Sequence, residues 1–320
     1  MNLLLIASSN GLGHARRLVN LLVGFRNFPQ LNISLGLTER QMSLLGREIS
    51  FVAQTIPFKL LVLQNFGIDG DNYLSQIKVK TIPLEIIKAI QAADAVIADN
   101  SLWPAEFSRE FFLLGHFDWL SNYQDEYNEN PQTEFGKRWE FERQLSESVK
   151  IWFKLKHFGV PSVIKSEILT IPLPQYEGDL KKKIERENKI WAAYGTTLRN
   201  IEKVSGNFFS EEQVIERETW HLFEDYFLPR LVVGRPGLGT IRDCLASGTI
   251  FYPLFHGQDL ELQHNCEVLK HLGLVSLDNL EETWESILVR DEFSNRIQEF
   301  WLQASRPMEI IAASILEELK

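Results

Sequence analysis

Two glycine-rich turns carry the residues whose types and spacing could do chemistry. The first is Asn10-Gly11-Leu12-Gly13-His14-Ala15-Arg16-Arg17. It follows a short apolar run at 3–7 and precedes Leu18, Leu21, Leu22 and Phe25 at helical spacing. Glycines let a backbone turn tightly and approach a ligand closely. The free N–H groups of a helix start favour an anion. The same dipole disfavours a histidine cation there, so His14 is expected as the neutral imidazole that a general base requires. The alternative is a histidine that only caps or packs at a turn. Arg16 and Arg17 are read as solvated helix charges, Arg17 above all. Arg16 stands where a dinucleotide fingerprint has its third glycine, and no Walker lysine is present.

The second turn, Gly234-Arg235-Pro236-Gly237-Leu238-Gly239-Thr240, follows the apolar run Leu231-Val232-Val233. A diphosphate could sit where the next helix begins, expected at Thr240. Asp243, three residues on, is either the partner of Thr240 in a capping box or a carboxylate within reach of ribose hydroxyls. Residues 255–265 then crowd polar side chains into one loop and helix start: His256, Gln258, Asp259, Glu261, Gln263, His264 and Asn265. Some of these acids are plain helix-start residues. A cluster that can hydrogen-bond hydroxyls at a strand end nevertheless suits a sugar.

Elements able to position these turns alternate along the chain. Apolar runs predict strands at 3–7, 33–37, 58–63, 95–98 (ending at Asp99), 112–114, 190–194, 231–233 and 250–254. Helices are expected at 15–25, 40–45, 82–93, 139–149, about 211–227, 240–247, 260–272 and 307–319. Residues 121–132 read as a long polar loop. The Pro172, Pro174 and Gly178 stretch reads as an interdomain linker. This is an α/β chain of two parallel-sheet domains, 1–170 and 171–301, in which ligands bind beyond the carboxyl ends of the strands.

Composition narrows the classes. A formal net charge of −10 argues against nucleic acid as a general partner. Cys244 and Cys266 lack disulfide-framework and metal-site spacing, which fits a reducing compartment. No apolar run approaches the roughly 18 residues of a membrane span, and 1–9 has no basic leader region. A cytoplasmic location is expected. Trp103, Trp119 and Trp139 fall outside clear core periodicity; they are read as core, with an acceptor or partner surface as the alternative.

Taken together, Gly-x-Gly-His-x-x-Arg and the downstream Arg-x-Gly-x-x-Thr-x-x-Asp, followed by a glycine, a strand and a helix with Glu-x-x-x-Asn, resemble the GT-B glycosyltransferases. The similarity is to their family-28-like branch, which includes both a lipid II N-acetylglucosaminyltransferase and a UDP-sugar hydrolase. The stretch 96–119, with Asp99 and Gly115-His116-Phe117-Asp118-Trp119, is similar to the GT-B-like half of plant arabinokinase. The resemblance implies two Rossmann-like domains facing across a cleft, acceptor on the N-terminal side and donor on the C-terminal side. A last helix, within 302–320, would cross back to the first domain. It implies His14 as general base, and Asp99, Asn100, His116 and Asp118 on the acceptor side. Gly11 and Gly13 would face the donor phosphates, Gly195 and Thr196 match the Gly-rich loop opening the donor domain, and Arg235, Gly237, Gly239 and Thr240 fall in the donor-binding, phosphate-side loop. Asp243 stands at the family's ribose-binding glutamate, and Glu261, Gln263 and Asn265 lie on the donor-sugar helix.

The chain departs from the pattern at Pro236, where the family has glycine or serine. It also has only about 34 residues between Thr197 and Leu231, so a reduced donor domain is expected. The function implied is inverting transfer of a hexosyl or N-acetylhexosaminyl group from a UDP-linked sugar to an acceptor hydroxyl. No cofactor or metal is expected, since no Asp-x-Asp triplet is present. The alternatives are a nucleotide-sugar hydrolase with the same base and a non-catalytic GT-B-like binding protein. A nicotinamide oxidoreductase is disfavoured because both turns break that fingerprint.

Overall fold

A computed structural model describes residues 1–9, 11–64, 82–171, 185–193, 214–217, 227–247, 249–253, 259–272 and 307–320. The chain divides into two compact units, Met1–Pro172 with Arg306–Lys320, and Leu173–Ser305.

The first unit is built on seven strands: β1 (Asn2–Ala7), β2 (Asn32–Thr38), β3 (Lys59–Leu63), β4 (Ala95–Asp99), β5 (Phe111–Leu114), β6 (Val149–Leu155) and β7 (Glu167–Ile171). Their order is β3-β2-β1-β4-β5-β6-β7, and each neighbouring pair is parallel. β4 and β5 are buried at every residue, the signature of strands covered on both faces. The order reverses between β1 and β4. The carboxyl ends of those two strands are therefore the place where this class of sheet holds its ligands.

Helix α1 (Leu12–Gly24) follows β1 and buries Ala15, Leu18, Val19, Leu21 and Leu22. It starts three residues earlier than the apolar spacing implies, at Leu12. The C-terminal helix, Pro307–Glu318, lies on it. A Cβ at Gly24 would run into the backbone carbonyl of Met308, so the two helices meet main chain to main chain there. Ile311, Ala312 and Ile315 are fully buried, and Arg26 pairs with Glu309 at 2.7 Å. Burying each isoleucine is worth about 1.5–3 kcal/mol.

Residues 121–132 are not a loop. Short helices run Trp119–Asn122 and Gln124–Glu129. Asp118 caps the first, accepting from Ser121 N at 2.7 Å. Tyr123 stacks on Trp119 and Tyr127 on Trp139, ring centroids 5.9 and 4.0 Å apart. Two tyrosines one turn apart thus bury one side of an otherwise polar stretch. The next helix spans Glu134–Leu145, capped by Thr133. It ends before 149, where β6 begins. Trp103, Trp119 and Trp139 are all core.

In the second unit the strands β8 (Glu185–Ala193), β9 (Val214–Arg217), β10 (Phe227–Gly234) and β11 (Ile250–Pro253) form a parallel sheet of order β11-β10-β8-β9. The helix expected over about 211–227 is contradicted. Residues 214–217 pair with β8, in keeping with the β-branched pair Val214-Ile215, and β10 starts at Phe227. Helices Leu238–Ser247 and Leu260–His271 follow β10 and β11. The expected linker around 172–183 lies outside the described residues.

Candidate active site

At the carboxyl ends of β1 and β4 the chain assembles a buried cluster of three side chains. His14 lies in the first turn of α1 and Asp99 is the last residue of β4. His14 Nδ1 is 2.8 Å from Asp99 Oδ1. Arg17, one turn after His14 on the same helix face, grips the carboxylate in two places. Its Nε donates to Oδ2 at 2.7 Å and its Nη2 to Oδ1 at 2.8 Å. Nη2 is also 2.9 Å from His14 Nδ1. Burial on its own pushes Asp99 up. The charge and hydrogen bonds of Arg17, helped by His14, outweigh it and hold the carboxyl below the ordinary carboxylate range.

An ionised Asp99 can only accept, so His14 Nδ1 carries a proton, and in the neutral imidazole the lone pair then lies on Nε2. The His14 side chain is 9% exposed and Asp99 0%. The imidazole is thus the more accessible member of the pair. A carboxylate holding an imidazole in this way can orient it for general base chemistry.

The surroundings fix this cluster. Gly11 is the N-cap of α1 at φ 80°, a left-handed conformation that glycine adopts without penalty. Gln41 donates to Ser8 O at 2.7 Å and Gly11 O at 3.0 Å, pinning both sides of the turn. Among the described residues, a Cβ at Gly11 or Gly13 would meet nothing within 4 Å. Asn100 adopts φ 54° and its amide N–H groups reach Leu114 O and Phe117 O, at 3.3 and 2.8 Å. This holds the loop after β5, which places His116 Nδ1 3.4 Å from Arg17 Nη1 and Phe117 5.9 Å from the His14 ring.

Behind that loop lie a second acid and a lysine. Burial pushes Asp118 up against the pull of Ser162, Ser121 and Lys154. Burial pushes the Lys154 ammonium down, with Asp118 opposing. Lys154 donates to Val160 O and sits 4.4 Å over the Trp152 ring. Asp118 therefore braces the fold as a cap. Arg16 reaches Glu48 at 3.1 Å, and Arg17 is buried. The solvated reading of these arginines is overturned, because a carboxylate on a neighbouring element receives each.

The second unit has its own switch point between β8 and β10. Arg235-Pro236-Gly237 leaves β10 there, and among the described residues a Cβ at Gly237 or Gly239 would again meet nothing within 4 Å. The helix starts at Leu238, so Thr240 is its third residue and not its cap, and Asp243 lies deeper in the helix. The capping box is thereby excluded. Asp259 caps the next helix and pairs with Arg235 at 3.3 Å. Burial and the neighbouring Glu261 push Asp259 up, with Arg235 opposing. Asn265 is fully buried and donates to Pro236 O at 2.9 Å. It braces the loop, whereas Gln263 is exposed and Glu261 partly so. Gly195 and Thr196 lie outside the described residues. Among the described residues no three His, Cys, Asp or Glu side chains gather as metal ligands, and no helix is long and apolar enough to cross a membrane.

No family model matches the chain, and no curated protein matches it in sequence. Solved structures do match in fold. The chain is similar to the glycotransferase of kitacinnamycin, with a TM-score of 0.63, 13% identity, and 99% and 98% of the two chains covered. Similarity to the glycosyltransferase VinC in complex with dTDP has a TM-score of 0.58 at 12% identity, covering 100% and 99%. MurG of Acinetobacter baumannii gives 0.52 at 13%, covering 99% of each chain. The fold is that of the GT-B glycosyltransferases: two Rossmann-like units, each with a parallel sheet.

Proposed function

We propose that this chain is a glycosyltransferase that moves a sugar from a nucleotide-linked donor to an acceptor hydroxyl, with His14 as general base. The observation that carries the reading is the Asp99–His14 pair at the β1/β4 switch point. His14 Nε2 takes the acceptor proton as the acceptor oxygen attacks the anomeric carbon. The bond to the diphosphate breaks, and attack from the opposite face inverts the centre. Asp99 holds the tautomer and stabilises the imidazolium. Within the second unit, the N–H groups at the helix start after Gly237 and the Arg235 guanidinium suit a diphosphate. The chemistry balances without a metal.

A UDP-linked hexose or N-acetylhexosamine is the proposed donor, from the resemblance of the two motifs. Proteins of this fold have been seen with dTDP and with UDP, which supports a nucleoside diphosphate here. The test is a thermal-shift screen with UDP, GDP, TDP, CDP and ADP, followed by diphosphate release from the matching sugar nucleotide. A ligand at 100 times its Kd adds about 2.7 kcal/mol of apparent stability. Release that depends on an acceptor supports the proposal. Release to water alone makes the chain a hydrolase with the same base. No binding and no release with any donor overturns both.

A further inference from the structure

We infer that Gln41 is a positioning residue for His14: its amide sets the histidine opposite Asp99 by gripping two carbonyls of the turn before α1. This rests on the reading of His14 as the base. The N-cap of α1 is Gly11, which has no side chain to cap the helix. The turn is held from outside instead, by helix α2 (Glu39–Leu44), which follows β2. Gln41 is 2% exposed. Its Nε2 donates to Ser8 O at 2.7 Å and to Gly11 O at 3.0 Å. The opposite amide orientation would set Oε1 against both carbonyls, so the network fixes which end points to the turn.

The two carbonyls lead to the two members of the catalytic pair. Ser8 follows β1, and its own N–H donates to Asp99 O at 3.1 Å. Gly11 opens the helix whose first turn carries His14. One side chain therefore joins the residue bonded to the Asp99 main chain to the residue from which the His14 turn starts. Arg17 acts further along, holding the Asp99 carboxylate from the second turn of α1. Gly11 and Gly13 give the first turn little stiffness of its own.

Gln41 also serves α2. Its Oε1 accepts from Thr38 N at 3.0 Å, and its N–H donates to Thr38 Oγ1 at 3.2 Å, a capping box. Glutamate builds that box equally well, because the side chain needs only to accept. The grip on Ser8 and Gly11 takes two N–H donors. An ionised glutamate offers none, and a protonated one offers a single donor. The amide is thus required by the turn and not by the cap.

The experiment sets Q41E against T38A in the full chain. Q41E keeps the cap and breaks the grip; T38A loses the cap hydroxyl and keeps the grip. Amide exchange is followed over 12–18 and over 39–45, and kcat is measured with the donor identified above. Q41E should quicken exchange over 12–18 by about tenfold, as the loss of a hydrogen bond would. It should lower kcat by about 10–100-fold, since a base displaced by about 1 Å can cost the larger of these. T38A should quicken 39–45 and leave 12–18 and kcat near wild type, a split that a purely structural role for Gln41 would not produce. Q41E places an acid in a buried site and could fail to fold. Q41M, of similar length and with no donor, then replaces it with the same expectation over 12–18. Exchange over 12–18 at the wild-type rate, equal quickening there in T38A, or an unchanged kcat beside quickened exchange overturns the inference. The exchange readout needs no substrate. Absence of any transfer removes the proposed function and leaves the result over 12–18 standing; unmoved exchange beside intact transfer removes the inference alone.

Discussion

Asn265 anchors the loop after β10 at Pro236: the buried amide in the second turn of one helix donates to the carbonyl just before another, at 2.9 Å. Arg235, beside that carbonyl, is at the same time paired with Asp259, the cap of Asn265's helix. The loop is therefore set before any ligand arrives, and its cation is already engaged by an acid.

That engagement gives the first prediction. A diphosphate must compete with Asp259 for Arg235. Asp259→Asn keeps a good N-cap but removes the competing charge. Partly exposed pairs of this kind are worth about 0.2–1 kcal/mol, so UDP should bind up to about fivefold more tightly. Isothermal titration calorimetry measures it. Weaker binding in D259N would mean that the carboxylate helps hold the ligand.

His14→Ala should lower turnover by about 10²–10⁴. Asp99 keeps both Arg17 hydrogen bonds in this variant, and the loop around Arg235 belongs to the other unit. Melting temperature and UDP affinity should therefore stay near wild type. Near-normal turnover would remove His14 as the base; equal losses of turnover and stability would make it a packing residue.

Much of the fold was legible. The apolar runs at 3–7, 95–98 and 231–233 correspond to buried strands because parallel strands are covered on both sides. Strand β6 was hidden by Lys150 and Lys154. The first pairs with Glu110 at the surface, and the second is buried, with its ammonium against Val160 O and the Trp152 ring. A buried lysine breaks the apolar run that sequence reading depends on. Of the site, the turn around His14 could be read locally. Its pairing with Asp99 could not, since 85 residues separate them. Arg17 left one usable signal: it sits three residues after His14, on the same helix face. What no local pattern revealed was the buried carboxylate opposite both.

The Arg17–Asp99 pair should also set acid stability. Asp99 is held below its ordinary value in the folded chain. Its contribution is therefore complete above the unfolded carboxylate value and is lost as pH falls through the lower, folded one. Breaking one side of a buried pair costs about 3–5 kcal/mol, so D99N should lose about that much at pH 7. The gap from wild type should narrow as the pH drops below the ordinary carboxylate range. Urea unfolding of both proteins across that range tests it. A gap that does not change with pH would show that the carboxylate is not ionised in the fold.

The seat of the C-terminal helix gives the last prediction. Gly24→Ala in an open helix stabilises by about 1 kcal/mol. At this position the added methyl runs into the main chain of Met308, so trimming a side chain brings no relief. Overpacking of this kind costs about 1–3 kcal/mol. The sign should therefore reverse. G24A should melt lower, and amide exchange over 307–318 should quicken as the helix lifts from α1. Loosening there would also threaten the burial of Ile311 and Ile315, which are fully buried on this helix. A G24A variant that melts higher, with exchange in 307–318 unchanged, would show that the helix does not rest on Gly24 in solution.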